Sequence, residues 1–154
     1  MPRKRPEEIV QLVDAHYDAT EPMRQRMQDD HALYRLDPYD AGEGYQSYTS
    51  NDPHTFAEKV IGWITGAEMT VRIPHDGADP ELREKNDLKE RFLIGVTRAA
   101  DERLCRMMLP ILRDQLAWYV TVRGWYAGRA LLAKRADGTT YVDITPWDPM
   151  HTYW

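Results

Sequence analysis

The sequence predicts an α+β fold with helices in the N-terminal half, including one long kinked helix, then a β-hairpin and the start of a further strand. Three observations support this prediction. Apolar residues recur at helical spacing over long segments before residue 120, two strand-like runs follow, and Asp137-Gly138 between those runs is a hairpin turn signal. The 154 residues suit one ordinary domain.

Two helices are predicted at the N-terminus. The first runs from Pro6 to Ala19, with proline in its first turn and an apolar stripe of Ile9, Leu12, Val13 and Tyr17. Thr20 is the predicted N-cap of a second helix that reaches about Tyr34. The second helix has a thin apolar stripe and many charges, so we expect it to pack on a partner or neighbouring subunit rather than deep in a core.

A loop is predicted over residues 37–52, where proline, glycine and small polar residues lack periodicity. Its Gly42-Glu43-Gly44 is no nucleotide fingerprint, because no strand precedes it and no third glycine follows at the required spacing. The interpretation divides the chain into N-terminal helices and an aromatic linker over residues 1–50, and an α+β segment over residues 51–154.

The second segment begins with a helix that starts at Asn51-Asp52-Pro53 and stops at Gly66. The alternation from Ala67 to Ile73 predicts a short strand. The longest helical pattern opens at Asp79-Pro80, and Pro110 must kink or split it because proline lacks the N–H and clashes one turn back. We expect two or three helices up to Val120, with a further weak point near Gly95-Val96-Thr97.

The last third predicts a β-hairpin, with strands from Trp125 to Lys134 and from Thr139 to Ile144. Tyr153-Trp154 then ends the sequence, and no later element could cover this aromatic surface. Since termini are usually frayed and polar, we expect the fold to continue in a longer protein.

Composition excludes several classes of function. The net charge of −5 gives no global basic footprint for nucleic acid. No apolar run has the length of about 20 residues that a membrane span needs, so no membrane partner is expected. The single cysteine, Cys105, cannot form an internal disulfide. These features indicate the cytoplasm or an assembly made there.

No catalytic or metal-binding constellation is found, and no cofactor is predicted. The five histidines lack partners at metal-ligand spacing. Asp37, Asp40 and Glu43 could gather around a hard cation, but the EF-hand spacing is absent. An enzyme would need a hidden site around these three residues and His31, so the chain is expected not to be an enzyme.

The order of the segments resembles the N-terminal and wing portion of a tailed-bacteriophage portal protein, the head–tail connector. An aromatic linker leads to Ser50-Asn51-Asp52-Pro53 and a short helix, and then to the strand-like segment that ends at Pro74. A later helix enters Arg123-Gly124, and a hairpin then leads to Asp148-Pro149. The likeness covers residues 34–154. Portal proteins are several times longer, so it implies an incomplete wing.

The resemblance implies a structural subunit of a homo-oligomeric ring, typically of twelve copies, at the portal vertex of the virion. Double-stranded DNA would pass through this ring non-specifically during packaging and ejection. Terminase, capsid and tail-adaptor proteins would be its partners, and assembly would take place in the host cytoplasm. An acidic chain suits a channel for DNA, because many contacts from Lys and Arg would bind the DNA phosphates and hinder sliding.

The candidate subunit-interface residues are aromatic: Trp63, Trp118, Trp125, Tyr153 and Trp154. For Trp63, Trp118 and Trp125 the alternative is that each ring packs inside its own subunit. An alternative for the whole chain is a helical adaptor or regulatory domain that binds another protein and has no catalytic activity. That alternative predicts a stable monomer or dimer.

Overall fold

The computed structural model describes residues 5–68, 70–74 and 80–152. In this described part of the chain, five helices precede a two-stranded sheet, which confirms the α+β class. The helices are α1 (Pro6–Ala19), α2 (Glu21–Arg35), α3 (Asp52–Gly66), α4 (Pro80–Arg106) and α5 (Leu112–Trp118). A π-helical turn (Tyr119–Arg123), strands β1 (Ala127–Lys134) and β2 (Thr140–Trp147), and a 3₁₀ turn (Pro149–His151) follow.

The chain forms two compact units, which are described separately. Among the described residues, the first unit comprises residues 5–61, 118–127 and 147–152. The second comprises residues 62–117 and 128–146, apart from residues 69 and 75–79. The predicted boundary after residue 50 stays a prediction.

In the first unit, the expectation that α2 packs on a partner rather than in a core is wrong. Met27 in the middle of α2 is fully buried, and α2 packs on the π-helical turn. Thr20 precedes α2 as predicted, but its hydroxyl does not cap the helix. The hydroxyl donates instead to the His16 carbonyl, 2.8 Å away, at the end of α1.

The second unit has a small apolar core between its longest helix and the hairpin. Ala100, Leu104 and Leu112 form a buried cluster, and Ile144 of β2 packs against it. The hairpin turn is as predicted: Gly138 has a φ of +85°, which a side chain would disfavour, and the Asp137 carboxylate accepts the Thr139 N–H at 2.9 Å.

The predicted strand from Ala67 to Ile73 is wrong for its described residues, which are irregular; Met69 lies outside them. The second unit supplies a physical reason. The Ile73 N–H donates to the Glu90 carboxylate of α4 at 2.7 Å, so a side chain takes the place of a neighbouring strand. Alternation alone does not make a strand without a partner for its backbone.

The long helical pattern is split, but the break begins before Pro110. The α4 helix ends at Arg106, and Met108 is left-handed with a φ of +58°. The Leu109 N–H returns to the Leu104 carbonyl at 2.9 Å, a bond typical of helix C-termini. The predicted weak point at residues 95–97 is wrong, because α4 runs through it.

The expected start of a further strand is not seen up to residue 152, and Tyr153 and Trp154 lie outside the described residues. The β2 strand continues through Pro146 to Trp147, and the chain then enters the 3₁₀ turn. A proline lacks the N–H of a ladder but is tolerated on an edge strand, which β2 is in this two-stranded sheet.

Candidate functional site

The best-formed polar site of the first unit joins three separate parts of the sequence. Arg123, at the end of the π-helical turn, is only 8% exposed. Its guanidinium donates to the Met27 backbone carbonyl at 3.0 Å and pairs with the Asp148 carboxylate at 3.4 Å. One side chain thus connects α2, the turn after α5 and the segment after β2. We call Arg123, Met27 and Asp148 the Arg123 junction.

Local backbone geometry positions both charged groups of the junction. Val122 and Arg123 are the buried residues of the π-helical turn, and Gly124 ends it with a φ of +73°. Such a conformation favours glycine, which explains the Arg-Gly sequence. Asp148 caps the 3₁₀ turn, since its other carboxylate oxygen accepts the Met150 N–H at 2.9 Å.

Aromatic rings surround the junction. The Trp118 ring meets the rings of His31, Tyr34 and Tyr119 edge to face, with centroids 5.7, 6.1 and 5.3 Å away. The Arg123 guanidinium carbon lies 5.8 Å from the Trp118 centroid, within cation–π range. Burial, followed by the charge of Arg123, lowers the pKa of His31. The cluster therefore favours a neutral imidazole.

Tyr34 links this cluster to α3. Its hydroxyl donates to the Glu58 carboxylate, and its backbone carbonyl lies 2.9 Å from Nδ1 of His54. The hydrogen bond to Glu58 is the largest cause of a raised pKa of the phenol. A phenol that holds its proton more firmly suits a structural donor rather than a base.

The second unit has a comparable ion pair between helix and hairpin. Arg103 of α4 contacts the Asp143 carboxylate of β2 at 2.7 Å and donates to the Ile144 carbonyl at 2.6 Å. Arg129 of β1 approaches the same carboxylate at 3.7 Å. This arrangement fixes the hairpin on α4 beside the apolar core. It is structural in character, since every contact joins two elements of the fold.

Many large apolar side chains stay exposed in the described chain, and two groups of them are considered below. The first is the α1 stripe, which we define as Ile9, Val10, Leu12 and Val13; each is exposed, and no residue of α1 is buried. The second, the α4–hairpin groove, is in the second unit. It is lined by uncharged residues: Phe92, Gly95, Val96, Ala99, Leu132, Thr140, Tyr141 and Val142.

The candidate interface residues have different environments. Trp118 packs within its own chain in the aromatic cluster, while Trp63 and Trp125 are exposed. Tyr153 and Trp154 lie outside the described residues. A role in subunit contacts stays a prediction for all five. Trp118 and Trp125 belong to the first unit, and Trp63 belongs to the second.

The residues weighed for a cation or a hidden enzyme site are not assembled into one. No group of three or more His, Cys, Asp and Glu side chains in the described chain is placed to hold a metal ion. The Asp40 carboxylate accepts the Gly42 N–H at 2.9 Å, which is turn chemistry. Within residues 5–68, 70–74 and 80–152, no helix is both long and apolar enough to cross a membrane.

Sequence reasoning missed the Arg123 junction although it noted both halves. Arg123-Gly124 and Asp148-Pro149 were each recognised as local patterns, but nothing in a single sequence pairs them. Comparison with known proteins adds no further identification. No known protein family matches this chain, and neither a curated protein nor a solved structure matches it.

Proposed function

We propose that this chain is a structural subunit of a larger protein assembly, and specifically of the portal ring of a tailed bacteriophage. The observation that carries the proposal is the exposed α1 stripe. An amphipathic helix gains most of its stability by packing its apolar face, yet every residue of α1 is exposed or only partly covered in the described chain. Such a helix is expected to pack on another polypeptide.

The polar sites support a structural role. At the Arg123 junction, the guanidinium is engaged by a backbone carbonyl and a carboxylate of the same chain. At the second unit's ion pair, Arg103 and Asp143 are engaged in the same manner. Each of these contacts joins two segments of the same unit, which is the arrangement of a structural ion pair. These contacts serve to hold the chain in one shape.

The portal assignment comes from the resemblance, and the Arg123 junction gives it a physical meaning. The Arg-Gly segment and the Asp-Pro segment were two of the patterns that carried the likeness. In the structure, Arg123 and Asp148 from these segments form one ion pair. The junction therefore links two of the segments on which the likeness rests.

Purified particles test the portal proposal. If the gene lies beside a terminase gene, mass spectrometry should find this sequence in virions made by the same genome. Gold-labelled antibody should then mark one vertex of each head. A chain that is absent from purified virions, or spread over the whole shell, would contradict the portal role. An irrelevant antibody of the same isotype is the control.

A helical adaptor would share the exposed α1 stripe but differ in stoichiometry. It would bind its partner as a monomer or dimer, whereas a ring subunit must make two different contacts with neighbouring copies. Native mass spectrometry separates the two functions without knowledge of the partner.

A further inference from the structure

We propose that His31 is a pH-sensitive switch: protonation of its imidazole weakens the Arg123 junction and loosens the first unit under mildly acidic conditions. All groups of the switch belong to residues 5–61, 118–127 and 147–152, so it acts within one unit. The switch goes beyond the portal assignment and does not depend on it.

The positive charge of the junction is incompletely compensated. The Arg123 side chain is only 8% exposed, and its contact with the Asp148 carboxylate is long, at 3.4 Å. Its Nε atom is buried and has no hydrogen-bond partner among the described residues. Charges interact more strongly where water is excluded, so a second cation near this guanidinium would be costly.

His31 is placed to supply that second cation. It lies on α2 four residues after Met27, whose carbonyl accepts from Arg123, and four residues bring two side chains to the same face of a helix. The imidazole and the guanidinium both approach the Trp118 ring: the imidazole centroid is 5.7 Å and the guanidinium carbon 5.8 Å from its centroid. A ring face attracts a cation, but here Arg123 already lies within cation–π range.

Charged groups from three segments act on His31. Burial, Arg123 and Arg35 lower the pKa of its imidazole, in that order. Asp148 and Asp37 raise this pKa, but they are the weaker causes. Because the fold lowers the pKa, protonation of His31 must destabilise the fold. An imidazolium that attracts Asp148 would also compete with Arg123 for the same carboxylate, which weakens the junction further.

Two phenols also meet the Trp118 ring, and neither changes charge near neutral pH. The hydrogen bond to Glu58 is the largest cause of the raised pKa of Tyr34, and burial is the largest cause of the raised pKa of Tyr119. Among the rings that meet Trp118 in the described chain, only the imidazole of His31 therefore titrates between about pH 5 and 8.

The second unit provides an internal comparison. The described histidines, which are His16, His31, His54 and His151, all belong to the first unit. No described residue of the second unit is a histidine, and His75 lies outside the described residues. A change driven by His31 should therefore appear in peptides of the first unit and be absent from those of α4.

NMR titration of the imidazole signals measures the pKa of His31, with His31→Gln identifying its signal. The pKa should lie below 6.5, the ordinary value for histidine. Arg123→Met should raise this pKa by removing a nearby cation. Arg35→Met should raise it as well, and this exposed site puts the fold at less risk. A His31 pKa at or above 6.5 would overturn the proposal.

Hydrogen exchange followed by mass spectrometry locates the loosening. After correction for the intrinsic rate, peptides of α2 and the π-helical turn should exchange several-fold faster at about pH 5 than at about pH 7. His31→Gln should remove this difference, and His31→Lys, a permanent cation, should exchange fast already at about pH 7. His151→Gln is the matched control, since His151 is exposed on the 3₁₀ turn that Asp148 caps, and it should behave like wild type.

Three exchange results would overturn the switch. The first is an equal pH dependence in wild type and His31→Gln, and the second is wild-type exchange in His31→Lys at about pH 7. The third is equally faster exchange in α2 and α4 at acid pH, which would indicate general acid unfolding. None of these measurements requires a ring or a virion. Their failure would leave the portal role standing, and a chain absent from virions would leave the switch standing.

Discussion

Replacing Arg123 by methionine removes the guanidinium of the Arg123 junction and keeps much of the side-chain volume. The change leaves the Met27 carbonyl without its donor at 3.0 Å and the Asp148 carboxylate without its cation at 3.4 Å. It also removes the cation beside the Trp118 ring. All of these contacts hold segments of the first unit together, so we expect the substitution to lower the folding stability of that unit.

The structure sets the size of the expected loss. Breaking a fully buried charge pair costs about 3–5 kcal/mol, since the remaining charge is left uncompensated. Asp148 is 29% exposed, so water can solvate part of its carboxylate and the lower end applies. Met27 lies inside α2, where a helical carbonyl also accepts the N–H four residues later, so losing the guanidinium there adds only about 1 kcal/mol, partly offset by the gain from an apolar side chain. We expect Arg123→Met to lower the free energy of unfolding by about 3 kcal/mol.

Urea unfolding followed by far-ultraviolet circular dichroism measures this loss, with unchanged m-values as the condition for comparing midpoints. Arg26→Met is the matched control, because the exposed Arg26–Asp30 pair at 3.8 Å should contribute less than about 0.5 kcal/mol. Asp148→Asn should cost about 2 kcal/mol, since its single amide oxygen can replace only one of the two carboxylate oxygens that engage Arg123 and the Met150 N–H. An Arg123→Met protein as stable as Arg26→Met would refute the reasoning.

Three further predictions concern the rest of the molecule. Leu104→Ala should lower the free energy of unfolding in urea by about 3 kcal/mol, because Leu104 is only 2% exposed. Leu88 is 69% exposed, so Leu88→Ala should cost less than about 0.5 kcal/mol. Equal losses would contradict the described core. Asp143→Asn should lower stability by about 1 kcal/mol by weakening the Arg103 contact, and an unchanged midpoint would oppose that assignment. Because the fold lowers the pKa of His31, the contribution of His31 to folding stability is present above its unfolded pKa of about 6.5 and is lost as the pH falls below that value. His31→Gln should therefore lose less stability than wild type between about pH 7 and 5. Parallel stability profiles of the two proteins over this pH range would contradict this.

Elements governed by local chemistry could be predicted from the sequence. The first helix has the predicted bounds of Pro6–Ala19, because an early proline and an apolar stripe act within a few residues. The hairpin turn follows in the same way from Asp137-Gly138 and the left-handed glycine. In these cases the nearest neighbours along the chain determine the backbone.

Features that depend on distant partners could not be predicted. Residues 70–73 alternate like a strand but have no strand beside them, and Glu90 takes the Ile73 N–H instead. The thin apolar stripe of α2 did not indicate that Met27 is buried. The burial of Met27 depends on the π-helical turn, which comes nearly one hundred residues later in the sequence. The Arg123 junction could not be predicted for the same reason. A single sequence does not show that Arg123, Met27 and Asp148 lie close together in the fold.

Native mass spectrometry of the full chain over a range of concentrations tests the central claim, the proposal that this protein is a subunit of a homo-oligomeric ring. The account predicts masses at whole multiples of 18.0 kDa that grow with concentration and end at one closed, high-order oligomer. A wild-type chain that remains a monomer, or stops at a dimer, at every concentration would contradict the account.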